Sequence, residues 1–303
     1  MVVDDDSTDG RADTMTGYYK VADFVFAVTF QSDRDLEVLP PSFSVFKCNR
    51  KPDADLLFEL VEADVEEDCA LAEFLEEDVN DLGHTRLYRV GEKYRLTVRY
   101  VEFEHVMDAG PDFRRVSAKL NWEDPYVAAA LNSMLRVAFA QAVLMHSAVS
   151  LHASTVVKDG KAYMFMGRSG TGKSTHSRLW IEHLGATLLN DDNPIVRIVD
   201  GKAVVYGSPW SGKTPCYKDE SASVAAMVRL VQASENSFGR KSEIEAFAIM
   251  LPGCSVLRFD EKLYGNLCDT LIELAEMVCV GEMKCLPDMD AAQTCWDGVN
   301  ELI

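Results

Sequence analysis

The sequence predicts an α/β protein, mainly β over residues 17–123 and mixed α/β over 124–303, with helices toward the C-terminus. Three observations carry this. Short segments of β character crowd the first third, among them the alternating run Arg95-Leu96-Thr97-Val98-Arg99-Tyr100-Val101. An apolar strand then empties into a glycine-rich loop that opens onto a helix, over 161–184. The last sixty or so residues carry mostly helical spacing.

Residues 1–16 are small, polar and acidic, and are expected to form a disordered tail. Strands follow at 21–30, 43–48, 56–61, 87–90 and 94–101, with no catalytic constellation among them. His84 and His105 stand alone there, as surface or satisfied core residues do. Pro125 opens an apolar helix over 124–147. The stretches 148–157 and 161–166 read as a hairpin across Asp159-Gly160, and 195–199 and 203–206 as another over Asp200-Gly201. Between them, 186–192 is a short apolar strand that ends in two carboxylates. Val224 to Gln232 reads as a central strand. Helices are expected at 243–250, 261–280 and 290–302, with a short strand near 283–286.

The loop is the most specific feature. Gly167-Arg168-Ser169-Gly170-Thr171-Gly172-Lys173-Ser174 matches G-x-x-x-x-G-K-[ST] at every fixed position. Glycines let successive backbone N–H groups converge on one point, and the following helix turns its positive end toward it. A triphosphate suits such a cradle. Gly167, Ser169, Gly170, Thr171, Gly172 and Thr175 would line it, Lys173 would reach the outer phosphates, and the Ser174 hydroxyl would take a position on Mg²⁺. His176 is expected on the helix surface. A second match, Gly207-Ser208-Pro209-Trp210-Ser211-Gly212-Lys213-Thr214, is rejected as a cradle. Pro209 lacks a donor, Trp210 is bulky where the backbone must curl, Pro215 follows, and no helical stripe comes after. This loop is expected instead to bring Trp210 and Lys213 toward the site.

The strand ending in Asp191-Asp192 supplies what a metal–nucleotide site needs. One carboxylate can hold Mg²⁺ opposite Ser174, and the other can accept a proton from an attacking hydroxyl. An acidic turn into Asn193-Pro194 would have the same composition. His152, on a strand one hairpin before the loop, would lie near the head of the sheet, where it can orient a carboxylate or ligate metal. Arg168, Lys213 or Arg240 could neutralise transferred charge.

The net charge of −19 argues against nucleic-acid binding. Acids outnumber bases about two to one up to residue 123, as expected of a solvated surface or, less simply, of a dock for a basic peptide. The eight cysteines form no C-x-x-C and have no clustered histidines, so neither zinc nor a disulfide framework is indicated. The acidic N-terminus has no signal-peptide pattern, and the longest apolar run, 127–145, is interrupted by Asn132, Ser133, Arg136 and Gln141. A cytoplasmic location without membrane attachment is the expectation.

Leu151-His152-Ala153-Ser154, then Gly167 to Thr175, then Asp191-Asp192 resembles the C-terminal catalytic domain of HPr kinase/phosphorylase. The same order is similar to the nucleotide-binding core of ATP-dependent phosphoenolpyruvate carboxykinase. The resemblance covers roughly 148–235, about a third of the chain. The loop 207–213 also resembles one in HPr-kinase-like proteins encoded beside peptide-modification or sugar-regulation genes. The resemblance implies a P-loop, mixed-sheet kinase domain using ATP and Mg²⁺, possible homo-oligomers, and a hydroxyl acceptor, such as a serine of a protein or peptide or a small molecule. In that family the lysine and serine matching Lys173 and Ser174 bind phosphates and Mg²⁺. The aspartates matching Asp191 and Asp192 share metal binding and activation of the hydroxyl, with the histidine matching His152 beside them. The glycine- and arginine-rich phosphorylase signature is not found downstream, and the chain is far shorter than a carboxykinase. An ATP-dependent kinase is therefore the leading expectation. The alternatives are a non-catalytic ATP-binding regulatory module and, below it, a carboxykinase-like lyase. No N-K-x-D or L-S-G-G-Q motif points to a GTPase or an ABC-type ATPase.

Overall fold

The computed structural model describes residues 14–31, 36–48, 55–65, 72–212 and 214–301. Lys213 and residues 1–13 of the expected tail therefore lie outside the described residues. In chain order the elements are β1 (Thr14–Val21), β2 (Phe24–Gln31), β3 (Lys47–Cys48), β4 (Glu59–Glu62), β5 (Glu73–Asn80), β6 (Gly83–Val90), β7 (Lys93–Arg99), β8 (Glu104–Ala109) and β9 (Arg115–Lys119). Then follow α1 (Val127–Ala142), β10 (Ala148–Ser150), β11 (Ala153–Lys158), β12 (Lys161–Met166), α2 (Lys173–Leu184), β13 (Thr187–Asp192), β14 (Ile195–Val199) and β15 (Lys202–Tyr206). The chain closes with β16 (Ser221–Gln232), β17 (Ser237–Arg240), α3 (Glu243–Met250), α4 (Glu261–Met277), β18 (Cys279–Cys285) and α5 (Met289–Asn300).

The result is a mixed α/β architecture with two large mixed sheets. The first runs β3-β1-β2-β4-β9-β8-β7-β6-β5, and the second β10-β14-β15-β16-β12-β11-β13 with β18 and β17 attached. The long strand β16 pairs with β12 along one edge. Its other edge is shared, Ser221–Ser223 with β15 and Ala226–Gln232 with β18. Helix α1 lies in one continuous apolar core with both sheets: Leu131, Leu135 and Phe139 join Phe26, Phe58 and Val98 on one side and Met164, Val196 and Val205 on the other. The segment Val127–His146 is long and apolar enough to cross a membrane, but 72% of its most apolar window is buried within the protein. Its apolar character serves the core between the sheets.

Several expectations need correction. Thr14, Met15 and Thr16, assigned to the tail, pair with Gln31, Phe30 and Thr29 in β1. The segment 43–48 is largely a tight 3-10 turn over Pro41–Phe46, because Pro41 fixes a helical φ at its start. The strand expected over 148–157 is two strands: β10 pairs with β14, and β11 pairs with β12 across Asp159 (φ 51°) and Gly160 (φ 76°). His152 falls in the break between them.

Register decides the site. Ala153, at the start of β11, faces Met166 of β12 on one edge and Asp192 of β13 on the other. The loop that follows Met166, the histidine that precedes Ala153 and the carboxylates that end β13 therefore meet at one end of the sheet. That end carries the C-termini of the parallel strands β12, β16 and β18, where ligands of open α/β sheets bind.

Candidate active site

The glycine-rich loop wraps over the start of α2. Gly170 (φ 81°) and Gly172 (φ 105°) hold left-handed backbone that a side chain would strain. Gly172 is the N-cap of α2 and no side chain caps that end, so the first N–H groups of the helix are left for a ligand. Lys173 Nζ donates to the carbonyl of Gly167 at 3.0 Å, folded back over the loop. Burial lowers its pKa, with Asp192 and Asp191 opposing.

Ser169, Gly170, Gly172, Lys173, Ser174, Thr175, His152, Asp191 and Asp192 all line one cleft of about 860 Å³ between the sheets. That size lies within the range of roughly 300–1,000 Å³ for small-molecule sites. Within the cleft the two aspartates live differently. Asp191 accepts a hydrogen bond from Ser154 Oγ at 2.7 Å at its Oδ1, and Ser154 shares a 2.6 Å contact with Ser177 on α2. Its Oδ2 is buried and has no hydrogen-bond partner among the described residues. Asp192 is less buried. Its Oδ2 accepts from Asn193 Nδ2 at 2.6 Å, and its Oδ1 lies 3.6 Å from His152 Nδ1. Burial raises the Asp192 pKa, against the pull of Arg136 and His152. Burial lowers that of His152, helped by Lys173.

A divalent cation fits the donor set. An orphaned, buried carboxylate oxygen is costly unless something positive meets it. Asp191 supplies that oxygen and Ser174 a hydroxyl in the same cleft. No group of three or more His, Cys, Asp or Glu among the described residues is arranged to hold a metal on its own. Mg²⁺ takes one or two carboxylates and completes its shell with water and substrate phosphates.

The second glycine-lysine loop does something else. A Cβ at Gly207 would lie 2.2 Å from the carbonyl of Lys218, and one at Gly212 2.7 Å from that of Asp191. Both glycines exist for close backbone approach. Asn190 ties this loop to β13, donating from Nδ2 to Ser208 Oγ (3.2 Å) and the Trp210 carbonyl (3.3 Å) while its Oδ1 accepts from the Asp192 and Asn193 N–H groups.

Other expectations are placed as follows. Trp210 does line the cleft, but it is only 4% exposed and packs on Phe139 at 5.1 Å, so it is floor rather than a reaching side chain. Arg168 is exposed and lines an adjoining cavity of about 400 Å³, with Arg229, Pro252 and Gly253, that shares His152 and Ser169 with the cleft. Arg240 lines another cavity, beside Cys279 at the opposite end of β18 from the loop. His176, expected on the surface, is 2% exposed and accepts from Trp180 Nε1 at 3.1 Å. Burial holds its pKa down at about 4. His105 is a satisfied core residue, 2.8 Å from Asp124.

Two charged cleft residues were not expected from the sequence. Arg136 of α1 bonds Asp81, in the β5–β6 turn, at 2.5 Å, and its Nη2 stands 3.8 Å from Asp192 Oδ2. The signal was present: Arg136 is the single charge in the sixteen residues of α1, and a lone charge in an apolar helix needs a partner.

No family model and no curated protein sequence matches the chain. Among solved structures it is similar to the Hpr(Ser) kinase/phosphatase from Coxiella burnetii, at 12% identity and a TM-score of 0.31, covering 50% of this chain and 88% of that one. A likeness this slight leaves the functional reading to the geometry of the site.

Proposed function

We propose that this protein is an ATP-dependent kinase that transfers the γ-phosphoryl group to a hydroxyl of a protein, peptide or small molecule. The observation that carries this is the meeting of an uncapped, glycine-lined helix start, Lys173 and two chemically distinct aspartates in one cleft.

The phosphates lie across the loop, held by its backbone N–H groups and by Lys173 once that side chain swings from the Gly167 carbonyl. A neighbouring cavity of about 380 Å³ shares Gly170, Gly172 and Thr175 with the cleft. Leu179, Ala233, Leu286 and Pro287 give it an apolar lining suited to the nucleoside. Asp191 and Ser174 are the residues that would hold Mg²⁺, whose chemistry when bound is to neutralise the outer phosphate oxygens. Asp192 is the base. Its carboxylate takes the acceptor's proton as the acceptor oxygen bonds to the γ phosphorus, and the broken bond's electron pair leaves with ADP. Asp192 lines the same cleft as Lys173 and the loop, and His152 Nδ1 stands 3.6 Å from its Oδ1.

The test is incubation with γ-labelled ATP, Mg²⁺ and cell extract. Label carried into a protein, peptide or small molecule supports the reading; label appearing only as free phosphate opposes it. Asp192→Asn is expected to lower transfer on the order of 10²- to 10⁴-fold while ATP still binds. Unchanged transfer in that variant removes the assigned base.

A further inference from the structure

The cleft has a wall that the nucleotide reading does not use. Asn80, Asp81 and Leu82, the turn between β5 and β6, reach from the N-terminal sheet to its rim, and Asn132 and Arg136 rise from α1 beneath them. Arg136 is an unusual side chain to find there. It is 16% exposed on a helix that is mostly core. One prong of its guanidinium, Nη1, is anchored on Asp81 at 2.5 Å. The other, Nη2, points toward the assigned base at 3.8 Å, beyond hydrogen-bond distance.

Charge makes this arrangement informative. Among the described lining residues the cleft holds three carboxylates, Asp81, Asp191 and Asp192, and two basic side chains, Lys173 and Arg136. A third carboxylate beside a polyphosphate site is unfavourable unless it serves a cation, and Asp81 serves Arg136. The two cations also stand on opposite walls. Lys173 comes with α2 and the glycine loop, Arg136 with α1, and Asp192 lines the cleft with both. An acceptor oxygen held at Asp192 therefore lies beside Nη2 of Arg136.

We propose that Arg136 neutralises the phosphoryl group in transfer, held for that task by Asp81, so that the nine-stranded N-terminal sheet is part of the active site. This rests on the kinase reading above. Arg136 is then a catalytic residue, because Nη2 meets the moving oxygens while Nη1 stays on Asp81, a two-ended hold that a lysine would not give. Asp81 is a positioning residue, acting only through Arg136.

The experiment needs no identified acceptor. The full chain is titrated with MgADP alone and with MgADP plus aluminium fluoride, a mimic of the phosphoryl group in flight, and binding is followed by thermal shift and calorimetry. The expected result is that wild type binds MgADP and gains affinity with fluoride. Arg136→Gln and Arg136→Lys keep MgADP affinity within about threefold but lose at least tenfold of the fluoride gain, about 1.4 kcal/mol. Retained MgADP binding shows that these variants are folded. Asp81→Asn shows a smaller loss of the same kind, and Asp81→Glu recovers part of it, which a merely structural role would not produce. An undiminished fluoride gain in Arg136→Gln overturns the proposal and leaves the kinase reading standing. Absence of MgADP binding in wild type overturns both.

Discussion

Two stretches of this chain satisfy the same eight-residue pattern, 167–174 and 207–214, and they are built for opposite purposes. At Gly170 and Gly172 an added Cβ meets nothing within 4 Å, and the glycines are needed for their left-handed backbone. At Gly207 and Gly212 an added Cβ strikes backbone carbonyls, and the glycines are needed for space. The first loop leaves N–H groups facing a cleft. The second packs its Pro209 and Trp210 into the core and is pinned to β13 through Asn190. A pattern of residue types fixes which backbone shapes are permitted; what precedes and follows decides which is taken.

The contrast can be broken or sharpened by mutation. The largest effect is expected at Lys173→Ala: MgATP affinity falls about 100-fold, the equivalent of roughly 3 kcal/mol, with little change in thermal stability. A variant that binds as wild type would make the first loop as inert as the second. At Gly207→Ala the expectation reverses. Overlap with the Lys218 carbonyl costs about 3 kcal/mol of folding stability, read by denaturant titration.

A smaller effect tests the helix beneath the first loop. Burial holds the His176 pKa at about 4, below its ordinary 6.5, so the unfolded chain takes up the proton first as pH falls. The stability contributed by neutral His176 is complete above about pH 6.5 and is lost as the pH drops toward 4, by up to roughly 2 kcal/mol between pH 7 and pH 5. In His176→Gln, where an amide oxygen can still accept from Trp180, this slope flattens; an unchanged acid profile assigns it to other groups. Smallest is Gly172→Ala. Strain at φ 105° costs about 1 kcal/mol, and nucleotide affinity falls more than stability does. Equal losses in both measurements would make Gly172 a packing glycine after all.

Much of this could be read locally. The hairpin turns at Asp159-Gly160 and Asp200-Gly201, helix α3 and the strand ending in Asp191-Asp192 are all written in short-range chemistry, because turn residues and apolar periods act over a few positions. The misreadings have a common cause. His176 was expected on a surface because α2 alone does not reveal that Phe165 and Trp180 close over it. The strand at 148–157 was expected whole because nothing local shows that β10 leaves for β14 at His152. Arg136 was noticed only as an interruption in an apolar run, and its partner Asp81 lies 55 residues away in sequence.

By itself, then, the sequence determined the mixed α/β class, the glycine loop and its lysine, and the residue types that the proposal assigns to phosphate, metal and proton. Those follow from backbone permission and side-chain chemistry, which each residue carries wherever it sits. Only the tertiary structure decided that Ala153 sets Met166 and Asp192 on its two edges, and that the orphaned oxygen belongs to Asp191 while His152 and Arg136 attend Asp192. Strand register and long-range packing fix distances between groups far apart in the chain, and no local pattern encodes a distance.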